Sequence, residues 1–257
     1  METFLNFKRR CNKLSTSEYQ FVADLHNHSI ASTHAYSTIT EMAREAARKG
    51  LAAVGCTDHG VKVWDAPKIS HFYNLNDLPK KIEGVRVLQG VEANIIDFDG
   101  QLDMPEELLS RLEVVIASMH GGLMPVGNVD ECTRAYMAVL DNPYVDIIGH
   151  SGSPEYAYDY ETVIRYAGEK GKAIEINEHT FTVRQASIAN CRKIAEICKK
   201  VGTPIVVDSD SHYHAWIGEF PNCVRMLKEL DFPPELIVNS SIENLNRFFA
   251  KKNIVFD

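Results

Sequence analysis

The greatest concentration of reactive side chains lies between Asp24 and His34, in the run Asp-Leu-His-Asn-His-Ser-Ile-Ala-Ser-Thr-His. His26 and His28 are two positions apart, so on an extended strand, whose side chains alternate between faces, both imidazoles project the same way. Asp24 falls on that face one period earlier, and the Ser/Ala/Thr segment before His34 is long enough to turn back toward the pair. Such a cluster favours metal binding first and catalysis through the metal second. Similar residues recur along the chain at Asp58-His59, Glu92, His120, His150, Asp208, Asp210 and His212. On an extended segment Asp210 and His212 would share a face as His26 and His28 do.

The elements that must carry these residues alternate regularly. Short apolar runs, expected as strands at 21–25, 52–56, 86–92, 114–118, 145–149, 173–176 and 204–207, are separated by amphipathic stretches with turn residues between them. Three helices have legible ends: one opens at Thr38-Ile39-Thr40-Glu41 and closes at Gly50, one spans 159–170 before Gly171, and one spans 187–201 before Gly202. In the last, Ile188, Cys191, Ile194, Ala195 and Cys198 fall at helical spacing, so both cysteines read as core. This alternation predicts a parallel α/β sheet. About seven βα units closing on themselves make a distorted (β/α)7 TIM-like barrel, which gathers chemistry at the C-terminal ends of its strands. The alternative, an open doubly wound sheet, lacks the glycine-rich nucleotide fingerprints of that class.

Placed on those units, a His or a carboxylate of the metal-ligand type follows six of the seven strands. A barrel mouth brings such positions together from far apart in sequence. Seven histidines and two carboxylates exceed the roughly four ligands of one zinc ion, so a multinuclear site is expected. Arg184 follows the sixth strand, the one without an assigned ligand, where a guanidinium would grip a phosphate. His71, on the second βα loop, and His179 and His214 are further loop candidates for substrate contact. Asp24 and Asp58 are candidates for orienting the imidazoles beside them.

Composition narrows the partners. The 257 residues, 45% hydrophobic, suit one domain at 21–257 behind an irregular N-terminal extension at 1–20 that carries Lys8-Arg9-Arg10. A net charge of -8 argues against a broad nucleic-acid or anionic-membrane surface. Six cysteines without a C-x-x-C pair fit reduced thiols, and no apolar run has the length of a membrane span or signal peptide, so a cytoplasmic protein is expected. The outer helices leave homo-oligomerisation open.

With these residues assembled, the chain resembles the PHP (polymerase and histidinol phosphatase) family, in particular its stand-alone bacterial phosphatase-like branch. The matching motifs are Asp24-Leu25-His26-Asn27-His28 with Ser32 and His34, Thr57-Asp58-His59, Gly90-Val91-Glu92-Ala93-Asn94, Ser118-Met119-His120, Ile148-Gly149-His150 and Ser209-Asp210-Ser211-His212. The resemblance implies three divalent metal ions, zinc first with manganese or iron as alternatives. By it, His26, His28, Glu92 and Asp210 hold one ion, Glu92 bridges to a second held by His120 and His150, and His34, His59 and His212 hold the third. The implied activity is hydrolysis of small phosphomonoesters by a metal-activated hydroxide, with Arg184, Glu92 and Asp210 as catalytic residues. The rivals are a phosphodiesterase or 3′-5′ exonuclease like the PHP domains of DNA polymerases, and a non-catalytic metal-binding regulator.

Overall fold

The computed structural model describes residues 19–257; most of the expected N-terminal extension, with Lys8-Arg9-Arg10, lies outside the described residues. Tyr19 at its start is buried, with its hydroxyl donating to the Phe232 carbonyl at 2.5 Å.

Seven parallel strands follow one another around the sheet: β1 (Ala23–Asp24), β2 (Ala53–Cys56), β3 (Val85–Asn94), β4 (Val114–Ser118), β5 (Ile147–Ile148), β6 (Ala173–Asn177) and β7 (Ile205–Asp208). A two-residue arm, Lys81–Ile82, folds back antiparallel on the start of β3. The seven strands expected from the apolar runs are these, with β3 longer than expected and β1 and β5 reduced to two paired residues. At β5 the flanking backbone still bonds, since Asp146 N–H donates to Val115 O and Gly149 N–H to Ala117 O. Gly55 is required in β2 because a Cβ there would lie 2.0 Å from the Leu25 carbonyl oxygen.

The barrel is nearly closed, and the gap between β1 and β7 is spanned mostly by side chains. Asn239, fully buried, donates from Nδ2 to Ala23 O at 2.8 Å and Val207 O at 2.7 Å, while its Oδ1 accepts from Val207 N–H at 3.1 Å. Higher up, two carboxylates cross the gap in opposite senses: Asp208 Oδ1 accepts from Leu25 N–H at 2.7 Å and Asp24 Oδ1 from Ser209 N–H at 3.1 Å. Burial pushes Asp24 up to about 6 and Asp208 well above the ordinary carboxylate range, the latter also through the charge of Asp24. Above these pairs a single parallel bridge joins Asn27 to Ser211.

Helices cover the sheet: α1 (Ile39–Arg48), α2 (Ile69–Asn74), α3 (Glu106–Leu109), α4 (Val129–Asp141), α5 (Tyr160–Glu169), α6 (Thr180–Val183), α7 (Ile188–Val201), α8 (Pro221–Glu229) and α9 (Ile242–Phe249). The capping box at Thr38 and Glu41 forms, and α7 ends as expected at Gly202, with φ of +78°. Cys191 and Cys198 are buried along α7, as a core stripe would be. A further capping box, Asn128 with Glu131, opens α4, whose buried face is Cys132, Ala135, Tyr136, Val139 and Leu140. Leu25, Leu88, Ile116 and Val206 form an apolar cluster with Phe249 and Phe256, so α9 and the chain end plug one end of the barrel and leave the other to polar residues. No helix among the described residues is long and apolar enough to cross a membrane.

Replacing Asn239 by Ala strips three buried backbone groups of their partners, so Asn239→Ala should lower unfolding free energy by about 2–4 kcal/mol. Urea denaturation checks this; a loss near zero would mean the seam does not depend on the side chain.

Candidate metal centre

Glu92, fully buried on β3, stands at the centre of the polar end. Its Oε1 lies 2.7 Å from His150 Nε2 and 3.3 Å from His120 Nε2. Its Oε2 lies 2.7 Å from His59 Nδ1, 3.5 Å from His26 Nε2 and 3.7 Å from His28 Nε2. Asp210 Oδ1 completes the second group, 3.1 Å from His28 Nε2 and 3.6 Å from His26 Nε2. A third group forms around His34, whose Nε2 lies 3.1 Å from His59 Nε2 and 2.9 Å from His212 Nε2. All nine side chains singled out in the sequence therefore meet at the mouth, in three neighbourhoods linked through Glu92 and His59.

Whether such neighbourhoods fit metal ions can be tested on their atoms. Ligand nitrogens about 2.0–2.1 Å from a tetrahedral zinc stand roughly 3.3 Å apart, close to the separations above. His120 Nε2 and Glu92 Oε2 are buried without a hydrogen bond, and His59 Nδ1 faces Glu92 Oε2 at 2.7 Å in a geometry that makes none. Buried polar atoms rarely stay unbonded. Crowded, unbonded donors aimed at common points are what a cation between them would satisfy, so the residues fit divalent ions. By contrast Cys56, Asp58 and His71, also close together, already form a hydrogen-bonded cluster in which Asp58 Oδ2 accepts from Ser29 Oγ at 2.7 Å and lies 3.1 Å from His71 Nε2.

Ligation needs ionised carboxylates and neutral imidazoles, and both carboxylates and three of the imidazoles are shifted that way. Burial would raise Glu92 and Asp210, but neighbouring cations outweigh it: His120 and His26 hold Glu92, and His26 and Arg184 hold Asp210, well below the usual range. Burial pushes His28 and His150 down and takes His212 to about 4. His26 and His59 behave oppositely: burial lowers both, yet Glu175, Asp210 and Glu92 together hold His26 well above the imidazole range and Glu92 holds His59 above it, so ligation there would displace a proton.

A second layer aims the rings. His26 Nδ1 is 2.6 Å from Glu175 Oε1, His34 Nδ1 is 2.5 Å from Asp65 Oδ2, and His120 Nδ1 is 2.6 Å from Asn94 Oδ1, leaving each Nε2 to the site. Glu175 also accepts the His150 N–H through Oε2 at 2.6 Å. Sequence reading missed Glu175 and Asp65. The alternation of β6 held the only signal for Glu175, a charged residue inside the apolar run Ala-Ile-Glu-Ile-Asn.

Four expectations are corrected. Asp24 and Asp58 orient none of the nine side chains' rings; Asp24 closes the seam, and Asp58 secures the Ser29–Ser32 turn, with Ser32 Oγ donating to its Oδ1 at 2.8 Å. His71 is on α2, not a loop, and faces Asp58. His214 faces Ser37 Oγ at 2.9 Å. Asp210 and His212 do not lie on an extended segment: Asp210 has φ of +54°, a turn that sends its carboxylate to His28 and His212 to His34. Arg184 and His179 do reach the mouth. Arg184 Nη1 donates to Asp210 Oδ2 at 3.0 Å, and both residues line an open cavity of about 680 Å³ with His34, His59, His120 and His212. A second cavity of about 570 Å³ adjoins it at His179 and His212, walled by Tyr36, Tyr213 and Trp216.

Comparison with known proteins agrees with this architecture. A model of the PHP domain matches residues 24–179. The chain is 47% identical over 233 residues, 91% of its length and 97% of the relative's, to a protein of Acetivibrio thermocellus named a probable phosphatase. It is 44% identical over 239 residues, 93% and 98% of the two lengths, to a probable phosphatase of Clostridium novyi. Among solved structures, histidinol phosphate phosphatase from Lactococcus lactis, complexed with zinc, L-histidinol and phosphate, shares the fold at 18% identity and a TM-score of 0.57, over 81% of this chain and 91% of that one.

If Glu175 fixes the His26 ring, Glu175→Gln should lower metal affinity about 10–100-fold without loss of secondary structure. Chelator competition followed with circular dichroism measures both, and unchanged affinity would remove Glu175 from the ring-orienting role.

Proposed function

The chain belongs to the PHP domain family, and from that premise and the geometry of its mouth we propose that it is a metal-dependent phosphatase acting on small phosphomonoesters. The observation that carries this reading is the convergence of nine side chains in three neighbourhoods linked through Glu92 and His59. His26, His28, Glu92 and Asp210 would hold one divalent ion, Glu92, His120 and His150 a second, and His34, His59 and His212 a third. Zinc is the first choice, with manganese and iron the alternatives for a set of imidazoles and carboxylates lacking thiolate. Divalent ions bound there would supply Lewis acidity toward the phosphoryl oxygens and a nucleophilic water near neutral pH.

The chain's own groups position and complete the reaction. Arg184 stays cationic under the pull of Asp210 despite burial, and its side chain is 26% exposed, toward the cavity. Its free guanidinium nitrogens would take two phosphoryl oxygens while the bond to Asp210 fixes the fork. His179 lines the same cavity beside Arg184 and would be one source of the proton for the leaving oxygen, a bound water the other. No side-chain nucleophile is needed, and the five described cysteines are buried, with burial pushing the Cys56 thiol, nearest the site, well up. The anionic chain and an open cavity of about 680 Å³ favour a small ester over a long anionic polymer.

Chelation should abolish phosphomonoester hydrolysis, zinc or manganese should restore it, and elemental analysis should find about three equivalents, as expected for nine ligands at about three or four per ion. Metal-replete protein without turnover on any phosphate ester would sink the reading. Arg184→Ala should raise KM and lower kcat/KM by about 10²–10³; an unchanged KM on every active substrate would refute its role.

A further inference from the structure

A further cavity lies at the other end of the barrel. It measures about 800 Å³ and is bounded by Arg86 at the start of β3, Glu113 just before β4, Asp146 just before β5 and Lys172 just before β6, with residues 251–255 as the opposite wall. It is therefore at the N-terminal end of the strands. Five-residue strands such as β4 and β6 put roughly 17 Å between it and the mouth.

Its charge departs from that of the chain. Six basic and three acidic side chains line it, in a protein whose net charge is -8. The carboxylates are already engaged: Glu113 pairs with Arg86 and with Lys80 at 2.9 Å, Asp146 with Lys252 at 2.5 Å, and Asp141 with Lys170 at 2.6 Å. Two lysines are left without an ion pair. Lys251 Nζ reaches only the Lys170 carbonyl at 3.5 Å. Lys172, 6% exposed, donates to the carbonyls of Val145 and, at 2.6 Å, of Asn142. Burial outweighs the attraction of Asp146 and, with Lys252 and Lys251 adding to it, pushes the Lys172 ammonium down to about 8. Packing the base of a barrel calls for paired charges, because a buried cation without a counter-charge is costly. The buried Lys172 and the exposed Lys251 therefore leave positive charge on the cavity wall that no carboxylate pairs directly and that an anion entering the cavity would meet.

We propose that this basal cavity is a binding site for a small phosphate-bearing anion of two or more negative charges, seated between Lys172 and Lys251. Lysine ammonium groups act on phosphate as point charges and tolerate its orientation, so inorganic phosphate and a phosphorylated metabolite share the required chemistry. The site is separate from the proposed catalytic mouth and shares no residue with either cavity there.

The test is lysine acetylation of the metal-replete protein, read by peptide mass spectrometry, with inorganic phosphate or pyrophosphate as the probe. At about ten times Kd, labelling of Lys172 and Lys251 should slow roughly tenfold, while exposed Lys228 keeps its rate. Lys251→Glu should remove the protection of Lys172, and His120→Ala, which alters only the mouth, should leave it intact. Protection by phosphate alone would identify the free ion as sufficient; protection by pyrophosphate only would call for a larger phosphorylated ligand. Equal slowing of every lysine, no protection by either probe, or protection lost in His120→Ala but kept in Lys251→Glu would each overturn the proposal.

Discussion

Glu92 is the constraint on which the rest of the structure depends. A fully buried carboxylate is tolerable only when cations or strong donors surround it, and here both oxygens face imidazoles contributed from the ends of four different strands. Each imidazole is in turn a buried polar group that must be placed. His26 and His120 are aimed by Glu175 and Asn94, His34 by Asp65, and the Ser29–Ser32 turn is tied down by Asp58. The polar end of the barrel is thus a nested set of dependencies running outward from one carboxylate. That arrangement explains why its strands carry charged and amide residues where a barrel interior would ordinarily hold aliphatic ones.

The same end must also be held in register, and the seam between β1 and β7 is where this is least assured. Below the Asn27–Ser211 bridge the strands do not pair through their backbones, and Asn239, Asp24 and Asp208 supply side-chain hydrogen bonds instead. Because Asp24 is two residues before His26 and Asp208 two before Asp210, the side chains that close the barrel also set the height of two of the nine convergent residues. Stability and site geometry are coupled at this point. The left-handed turn at Asp210 belongs to the same construction, since it frees the chain from the strand direction just where the carboxylate must swing toward His28.

Legibility in the sequence followed the range of the interaction. Helix ends set by a capping box or a left-handed glycine, as at Thr38 with Glu41 and at Gly202, depend on residues within a few positions and were readable. So were the strands, since most are short apolar runs that end at a polar residue, with β3 and β6 interrupted by the polar side chains they carry. His71 and His214 were not, because their partners, Asp58 and Ser37, sit on other elements, 13 and 177 residues away. The roles of Asp24 and Asp58 were misjudged for the same reason: adjacency in sequence to an imidazole says nothing of the face a carboxylate turns to once its strand is paired.

The amino-acid sequence by itself determined the alternation of strands and helices and the placing of a histidine or carboxylate after most strands. Those are consequences of local periodicity and of where turns interrupt it. Parallel pairing then carries those strand ends to one mouth, as barrel closure demands. Only the tertiary structure decided which nitrogen faces which oxygen, that Glu175 and Asp65 orient the rings, and that Asp210 leaves the extended conformation. It alone also gathered the unpaired lysines at the opposite end. The reason is distance along the chain: His26 meets Glu175 across 149 residues, and no local pattern encodes a contact that exists only once the barrel has closed.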